Sequence, residues 1–228
     1  MGVGTFIHHI GSALLLLATV MLLVVDVTAP VVGSLAIMRV NLGSGVPGSQ
    51  VTFGTLGWCH RGLRGGDQCS PRHIGYNPAQ VMTRIDGTHF TTAAENTTAG
   101  LTRAMVLHPM ATALCFIAFV LCLATGIVGS LLATFSSLLA FVFTIIAMIC
   151  DFVSFSIIRH DINSNGRRGS RAEWGPAIWL MVVAAIFTLS ASVIVFITCC
   201  AGRSKKSRGS RSKEGWNDLA PPPQQHPW

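Results

Sequence analysis

Charged residues are scarce in this sequence of 228 residues. Asp, Glu, Lys and Arg together make up 11% of the chain, whereas a soluble domain carries about 25%. Half of the residues are hydrophobic, and almost all charges fall outside four apolar runs. This distribution excludes an ordinary soluble domain and, except in the tail, a disordered chain. It also leaves no room for a separate soluble catalytic domain.

The four apolar runs predict four transmembrane helices, because about 20 helical residues cross a hydrocarbon core of about 30 Å. The predicted spans are residues 6–25, 110–132, 137–158 and 177–199. The second and third runs are nearly continuous, and the small polar segment 133–137 is the predicted turn between them. Residues 1–10 contain no Lys or Arg, which favours an uncleaved span over a signal peptide. The predicted fold class is an all-α membrane protein with a four-helix transmembrane bundle.

Basic residues predict that both termini are cytoplasmic. Every Lys lies in the basic, proline-rich tail, residues 201–228, as expected for a cytoplasmic segment. The long loop, residues 26–109, is then extracellular, although four Arg in the short loop 159–175 favour the opposite orientation. The long loop decides between the two, because it contains a glycosylation sequon at Asn96 and a pair of cysteines.

The two cysteines of the long loop, Cys59 and Cys69, are predicted to form a disulfide. Closing so short a loop stabilises a small domain by about 3 kcal/mol, and an oxidising compartment favours the bond. Zinc binding is the alternative, because His60 and His73 supply two further ligands. Adjacent Cys and His side chains rarely reach one tetrahedral ion, so we favour the disulfide and expect no metal and no cofactor.

The membrane exit of the last span carries two adjacent cysteines. Cys199 and Cys200 are candidate palmitoylation sites, with burial at the helix end as the alternative. The basic tail that follows is expected to bind anionic inner-leaflet lipids, which attract each basic residue by about 1 kcal/mol. A simple stop-transfer signal explains the same charges equally well. No nucleic-acid partner is expected.

Asp151 is the only ionisable residue well inside a predicted span, apart from two histidines near the N-terminus. We favour a structural role in which Asp151 bonds a Ser or Thr of a neighbouring helix, and a channel or transporter is the alternative. Five further histidines are scattered over the outer side, and no titrating cluster is visible among them. Motifs of phosphate-binding loops, zinc proteases and serine hydrolases are absent, so no enzymatic activity is expected.

Glycine and aromatic residues lie close to the two loop cysteines in the sequence and form a motif with them. Its residues are Phe53, Gly54, Gly57, Trp58 and Cys59, then Cys69 and Ser70, then Ile74, Gly75 and Tyr76. Together with Leu107-His108-Pro109 and the four-span layout, this motif resembles the fungal claudin-like tetraspans, and among them the PalI family of ambient-pH response regulators. The resemblance extends from the first residues to about Cys200. Trp58 stands where Tyr or Phe is commoner, and this tail is shorter than the long proline-rich tails of the family.

The resemblance implies a plasma-membrane protein whose first extracellular loop is closed by a disulfide and partly β. It implies an accessory or scaffold protein in alkaline-pH signalling that assists a multi-span pH sensor. The related eisosome tetraspans imply an alternative, a structural organiser of membrane domains or of the cell-wall interface. Without any family, the glycines predict close backbone approach, and Phe53 and Trp58 are predicted to pack over the disulfide as a recognition motif.

Overall fold

Six α-helices and five β-strands make up the computed structural model, which describes residues 3–124, 127–166 and 169–217, with side chains for 6–124, 129–166 and 169–198. The helices are α1 Val3–Asp26, α2 Pro78–Ile85, α3 Thr92–Arg103, α4 Leu107–Leu123, α5 Ile127–Asn165 and α6 Pro176–Asn217. The strands are β1 Met38–Asn41, β2 Gln50–Gly54, β3 Gly57–Arg61, β4 Gln68–Cys69 and β5 Arg171–Trp174. A 3₁₀ turn, Ala104–Val106, joins α3 to α4.

Four helical segments are long and apolar enough to cross a membrane. They are Phe6–Asp26, Thr92–Leu123, Gly129–Asn165 and Pro176–Thr198. Large apolar side chains such as Leu17, Phe116, Ile149 and Phe196 point away from the protein interior, which suits lipid as the surrounding solvent. The predicted four-helix transmembrane bundle is confirmed.

The turn between the second and third spans lies earlier in the chain than the sequence suggests. Helix α4 ends at Leu123, Ala124 is extended, and α5 begins at Ile127. The predicted turn at residues 133–137 is wrong, because the polar side chains of that segment find acceptors without breaking the helix. The Ser136 hydroxyl donates to the Leu114 carbonyl of α4 at 3.0 Å, and two neighbouring hydroxyls donate to carbonyls of α5 itself.

Small residues let the four transmembrane helices approach closely. Alanines spaced by seven residues are fully buried on α5 at Ala133, Ala140 and Ala147, and α6 repeats the spacing at Ala184 and Ala191. A repeat of seven keeps one stripe of a helix facing its neighbours in a left-handed bundle. The buried stripes therefore explain how α5 and α6 pack closely within the bundle.

The strands form one antiparallel sheet in the order β4-β3-β2-β1-β5. β5 comes from the short loop before α6, yet it pairs with β1 from the long loop, with Met38 opposite Trp174. The Asn163 side chain of α5 donates to the carbonyl of Ala172 and accepts from its N–H. These two bonds satisfy the backbone groups at the edge of β5 that faces away from β1. The two loops are therefore parts of one domain, which we call the loop domain (residues 27–103 and 169–175).

Helix α5 joins the loop domain to the bundle. Its 39 residues span about 58 Å, roughly twice the thickness of a hydrocarbon core. The second half of α5 buries Phe155, Ile158 and Ile162 in a core that includes Phe53 and Tyr76. The partly β, disulfide-closed loop that the sequence predicts is confirmed, and a membrane helix supplies part of its core.

Candidate functional site

The β2–β3 hairpin is anchored to the end of the first transmembrane helix. The Thr28 hydroxyl oxygen accepts a hydrogen bond from the Thr55 backbone N–H at 2.9 Å. The hydroxyls of Thr28 and Thr55 both donate to the Val25 carbonyl at 2.9 Å, which satisfies a carbonyl that the end of α1 leaves without a helical partner. A Cβ added to Gly54 would lie 2.5 Å from the Ala29 backbone nitrogen, so only glycine permits this approach.

The disulfide lies on the opposite face of the sheet from the aromatic residues. Cys59 is bonded to Cys69 and stands opposite Thr52, whereas Phe53 stands opposite Trp58. Side chains alternate between the two faces of a strand, so Phe53 and Trp58 do not pack over the disulfide, and that prediction is wrong. The bond confirms the predicted pairing and overturns the zinc alternative, because a disulfide sulfur is no thiolate ligand.

Most of the predicted recognition motif is buried. Phe53 is fully buried and stacks on Tyr76, with ring centroids 6.3 Å apart and ring planes within 9°. The Tyr76 hydroxyl donates to the Gly54 carbonyl at 2.8 Å. Burial, together with the nearby Asp151 carboxylate, holds the Tyr76 pKa well above its ordinary value, so this hydroxyl remains a donor. Trp58 is only half-buried.

The remaining motif residues support the loop that leads to Tyr76. Ile74 packs against the core from the side, and the backbone of Gly75 has a φ of +84°. A Cβ at Gly75 would also lie 2.9 Å from Cγ of Arg103 on α3. The motif is therefore chiefly a packing device that fixes the hairpin, Tyr76 and α3 to one another.

Asp151 has a histidine partner that the sequence does not reveal. Its Oδ2 atom lies 2.9 Å from Nε2 of His108, and both side chains are almost completely buried. The predicted partner, a Ser or Thr of a neighbouring helix, is therefore wrong. Asp151 is the twenty-fifth residue of α5, so it lies at the end of the bundle next to the loop domain and not in the middle of a span.

Asp26, the last residue of α1, lies in the same region. Its Oδ2 atom accepts a hydrogen bond of 2.6 Å from the hydroxyl of Thr112, one helical turn after His108. Buried oxygens without a hydrogen-bond partner are found at Oδ1 of Asp26, Oδ1 of Asp151 and Oγ of Ser154. We call Asp26, His108, Thr112, Asp151 and Ser154 the junction cluster. Three helices contribute to it.

Comparison with protein families identifies the relatives of this tetraspan. The SUR7/PalI family model matches residues 5–191, which include the first three spans, the whole loop domain and most of the fourth span. The chain belongs to the SUR7/PalI family. Membership makes it a membrane protein of the pH-response or eisosome type. No curated protein sequence gives a significant match.

Four other histidines of this SUR7/PalI protein, His60, His73, His89 and His160, do not join the junction cluster. His73, His89 and His160 are exposed. His60 is buried, and its ring nitrogen lies 2.8 Å from the Pro47 carbonyl. In the part of the chain with described side chains, no three His, Cys, Asp or Glu residues are grouped to hold a metal ion.

Three modification or lipid sites stay predictions for this family member. Asn96 is exposed on α3, where a glycan has room. The side chains of Cys199, Cys200 and the basic tail, residues 201–228, lie outside the described part, so palmitoylation and lipid binding rest on the sequence alone.

Proposed function

We propose that this SUR7/PalI protein is an accessory protein of the plasma membrane that assists a multi-span pH sensor in alkaline-pH signalling. The observation that carries the proposal is the firm attachment of the loop domain to the bundle in a member of this family. In the docked state that the structure shows, this chain offers such a sensor one rigid body that extends from the bundle into the loop domain. Catalysis has no part in the proposal.

Rigidity comes from two independent connections. The hairpin bonds the end of α1 through Thr28 and Thr55, and α5 runs without interruption from the bundle into the core of the loop domain. Aromatic stacking of Phe53 on Tyr76 and on Phe155 closes the space between the connections. Little conformational entropy is lost when such a pre-organised surface binds a partner.

Trp58 is the side chain that we assign to partner contact. It is half-buried on β3, opposite the fully buried Phe53, so its backbone is fixed while part of the ring is available. Rigid, partly exposed aromatic rings are enriched at the centres of protein interfaces. The other aromatic residues of the motif have no free surface and support Trp58 from within.

The proposed orientation places the loop domain outside the cell and both termini in the cytoplasm. It is supported by the disulfide, by the exposed sequon at Asn96 and by the basic tail. The tail would then lie against anionic lipids of the inner leaflet, where Cys199 and Cys200 are placed for palmitoylation.

Deletion of the gene tests the proposed function. Growth and processing of the pH-responsive transcription factor are measured at acidic and alkaline pH, and plasma-membrane domains are imaged in the same cells. We expect growth and processing to fail at alkaline pH only, with a normal membrane pattern. Normal alkaline growth with altered membrane domains or cell-wall defects would instead identify a structural organiser of the eisosome type.

A further inference from the structure

The junction cluster is a group of titratable side chains that the proposed scaffold role does not use. His108 and Asp151 lie 2.9 Å apart with side-chain exposures of 1% each, and Asp26 belongs to the same buried region. Buried charged groups are normally paired and fully hydrogen-bonded, because desolvation is costly. Here one oxygen of each carboxylate is buried without a partner, so the cluster has more acceptors than donors.

The net charge of the junction cluster depends on whether His108 carries a second proton. With both carboxylates ionised and a neutral imidazole, the cluster holds two negative charges in an apolar environment. One additional proton on His108 halves that charge and makes the 2.9 Å contact with Asp151 an ion pair. Loss of the proton leaves the two carboxylates without a counter-charge, and uncompensated buried charge strongly destabilises a packed structure.

His108 is the basic side chain in direct contact with a carboxylate of the cluster. The titratable groups that act on His108 are Asp151 of α5 and Asp26 of α1. Those that feel the Asp151 charge include His108, Tyr76 of the loop domain and Cys150, the neighbour of Asp151 on α5. Tyr76 and Cys150 are neutral in their protonated forms, so of these three groups only His108 can carry a positive charge.

The cluster is connected directly to the docking of the loop domain. Asp151 lies one helical turn before Phe155, whose ring packs on Phe53 with centroids 6.2 Å apart. Asp26 follows Val25, whose carbonyl accepts the hydrogen bond from Thr55 of the hairpin. Movement of either carboxylate towards water would therefore disturb both connections between the loop domain and the bundle.

We propose that His108, Asp151 and Asp26 form a proton-binding site whose occupancy controls how firmly the loop domain is docked on the bundle. The protonated site favours the docked state, and loss of the proton at alkaline pH favours an opened state in which water reaches the carboxylates. A ligand that binds one of two states shifts the equilibrium towards that state, and the proton is the ligand here. The biological use of this device rests on the proposed function, whereas the device itself does not.

Hydrogen–deuterium exchange of the full chain in lipid nanodiscs tests the site. Protection of the β2–β3 hairpin, residues 50–61, is measured between pH 6.0 and pH 8.5 and corrected for the intrinsic exchange rate. The range begins below about pH 6.5, where a free imidazole loses its proton. The variants are His108→Gln combined with Asp151→Asn, Asp26→Asn, and the control His73→Gln at an exposed histidine of the same domain.

Wild type and His73→Gln should lose protection as the pH rises, by at most tenfold per pH unit, the limit for release of one proton. The double variant keeps two polar groups of similar shape and should show no such dependence. Asp26→Asn should retain the dependence with a smaller total loss. Constant protection in wild type, a double variant with the wild-type slope, or an unchanged total loss in Asp26→Asn would overturn the proposal.

If the double variant does not fold, the exchange profiles of wild type and Asp26→Asn still test the proton-binding site. Failure here is also distinguishable from failure of the proposed function, because the exchange experiment uses purified protein. A normal alkaline phenotype in deletion cells would leave the proton site standing. A flat exchange profile would leave the accessory role standing.

Discussion

Phe53 should be the most sensitive packing residue of the loop domain. Its side chain is fully buried and contacts two other aromatic rings, those of Tyr76 and Phe155, at centroid distances of 6.3 and 6.2 Å. Truncation of a buried Phe to Ala leaves a cavity and costs about 3–5 kcal/mol. Because the lost contacts join the sheet, the Tyr76 loop and α5, we expect Phe53→Ala to lose stability at the upper end of that range.

Denaturant unfolding of the purified chain, followed by tryptophan fluorescence, measures the effect. Trp58 and Trp174 pack against the core of the loop domain and report on its unfolding. Phe135→Ala on α5 is the matched control, because that ring is 68% exposed on the lipid side and its loss should change the free energy of unfolding by less than about 0.5 kcal/mol. Equal stabilities of the two variants would refute the packing account.

Three further predictions concern the disulfide, the topology and the histidines of the outer side. Replacing Cys59 or Cys69 by Ser should cost about 2–5 kcal/mol and retain the protein in the endoplasmic reticulum, and two free thiols found by mass spectrometry in the mature protein would contradict the bond. A reporter cysteine near Gly45 should react with an impermeant reagent on intact cells while one near Trp216 stays protected, and the reverse pattern would invert the topology. Changing four histidines of the outer side to Gln should leave the pH midpoint of the cellular response in place, whereas His108→Gln combined with Asp151→Asn should not. A midpoint moved by about one pH unit in the quadruple variant would contradict this. The four are His60, His73, His89 and His160.

Long apolar runs made the four transmembrane helices predictable, because the bilayer dictates both their length and their composition. The disulfide was equally accessible, since only two cysteines lie in the long loop. The position of the α4–α5 turn could not be predicted in this way. Hydroxyl side chains are common in turns, but inside a membrane helix they also bond carbonyls of a neighbouring helix, as Ser136 does. Hydropathy alone does not distinguish these two uses of serine.

Contacts between distant parts of the chain could not be predicted from one sequence. β5 joins the sheet through Met38 opposite Trp174, a pairing across two transmembrane helices that no local pattern encodes. The His108–Asp151 pair joins residues 43 positions apart. To find it, one must know which residues of α4 and α5 lie side by side in the bundle. Because the predicted turn was too late in the chain, the wrong residues of α4 and α5 were aligned, and Asp151 was placed well inside a span. A histidine in the first turn of an apolar helix was the one available signal.

Surface abundance of the multi-span sensor tests the central proposal most directly. It is measured in cells that lack this protein and in the same cells supplied with wild type, Trp58→Ala or the control Trp179→Ala, whose ring is 57% exposed on the lipid-facing side. We predict that the sensor is depleted from the surface without the protein and with Trp58→Ala, and that wild type and Trp179→Ala restore it. Unchanged abundance of the sensor in cells without the protein would contradict the accessory role.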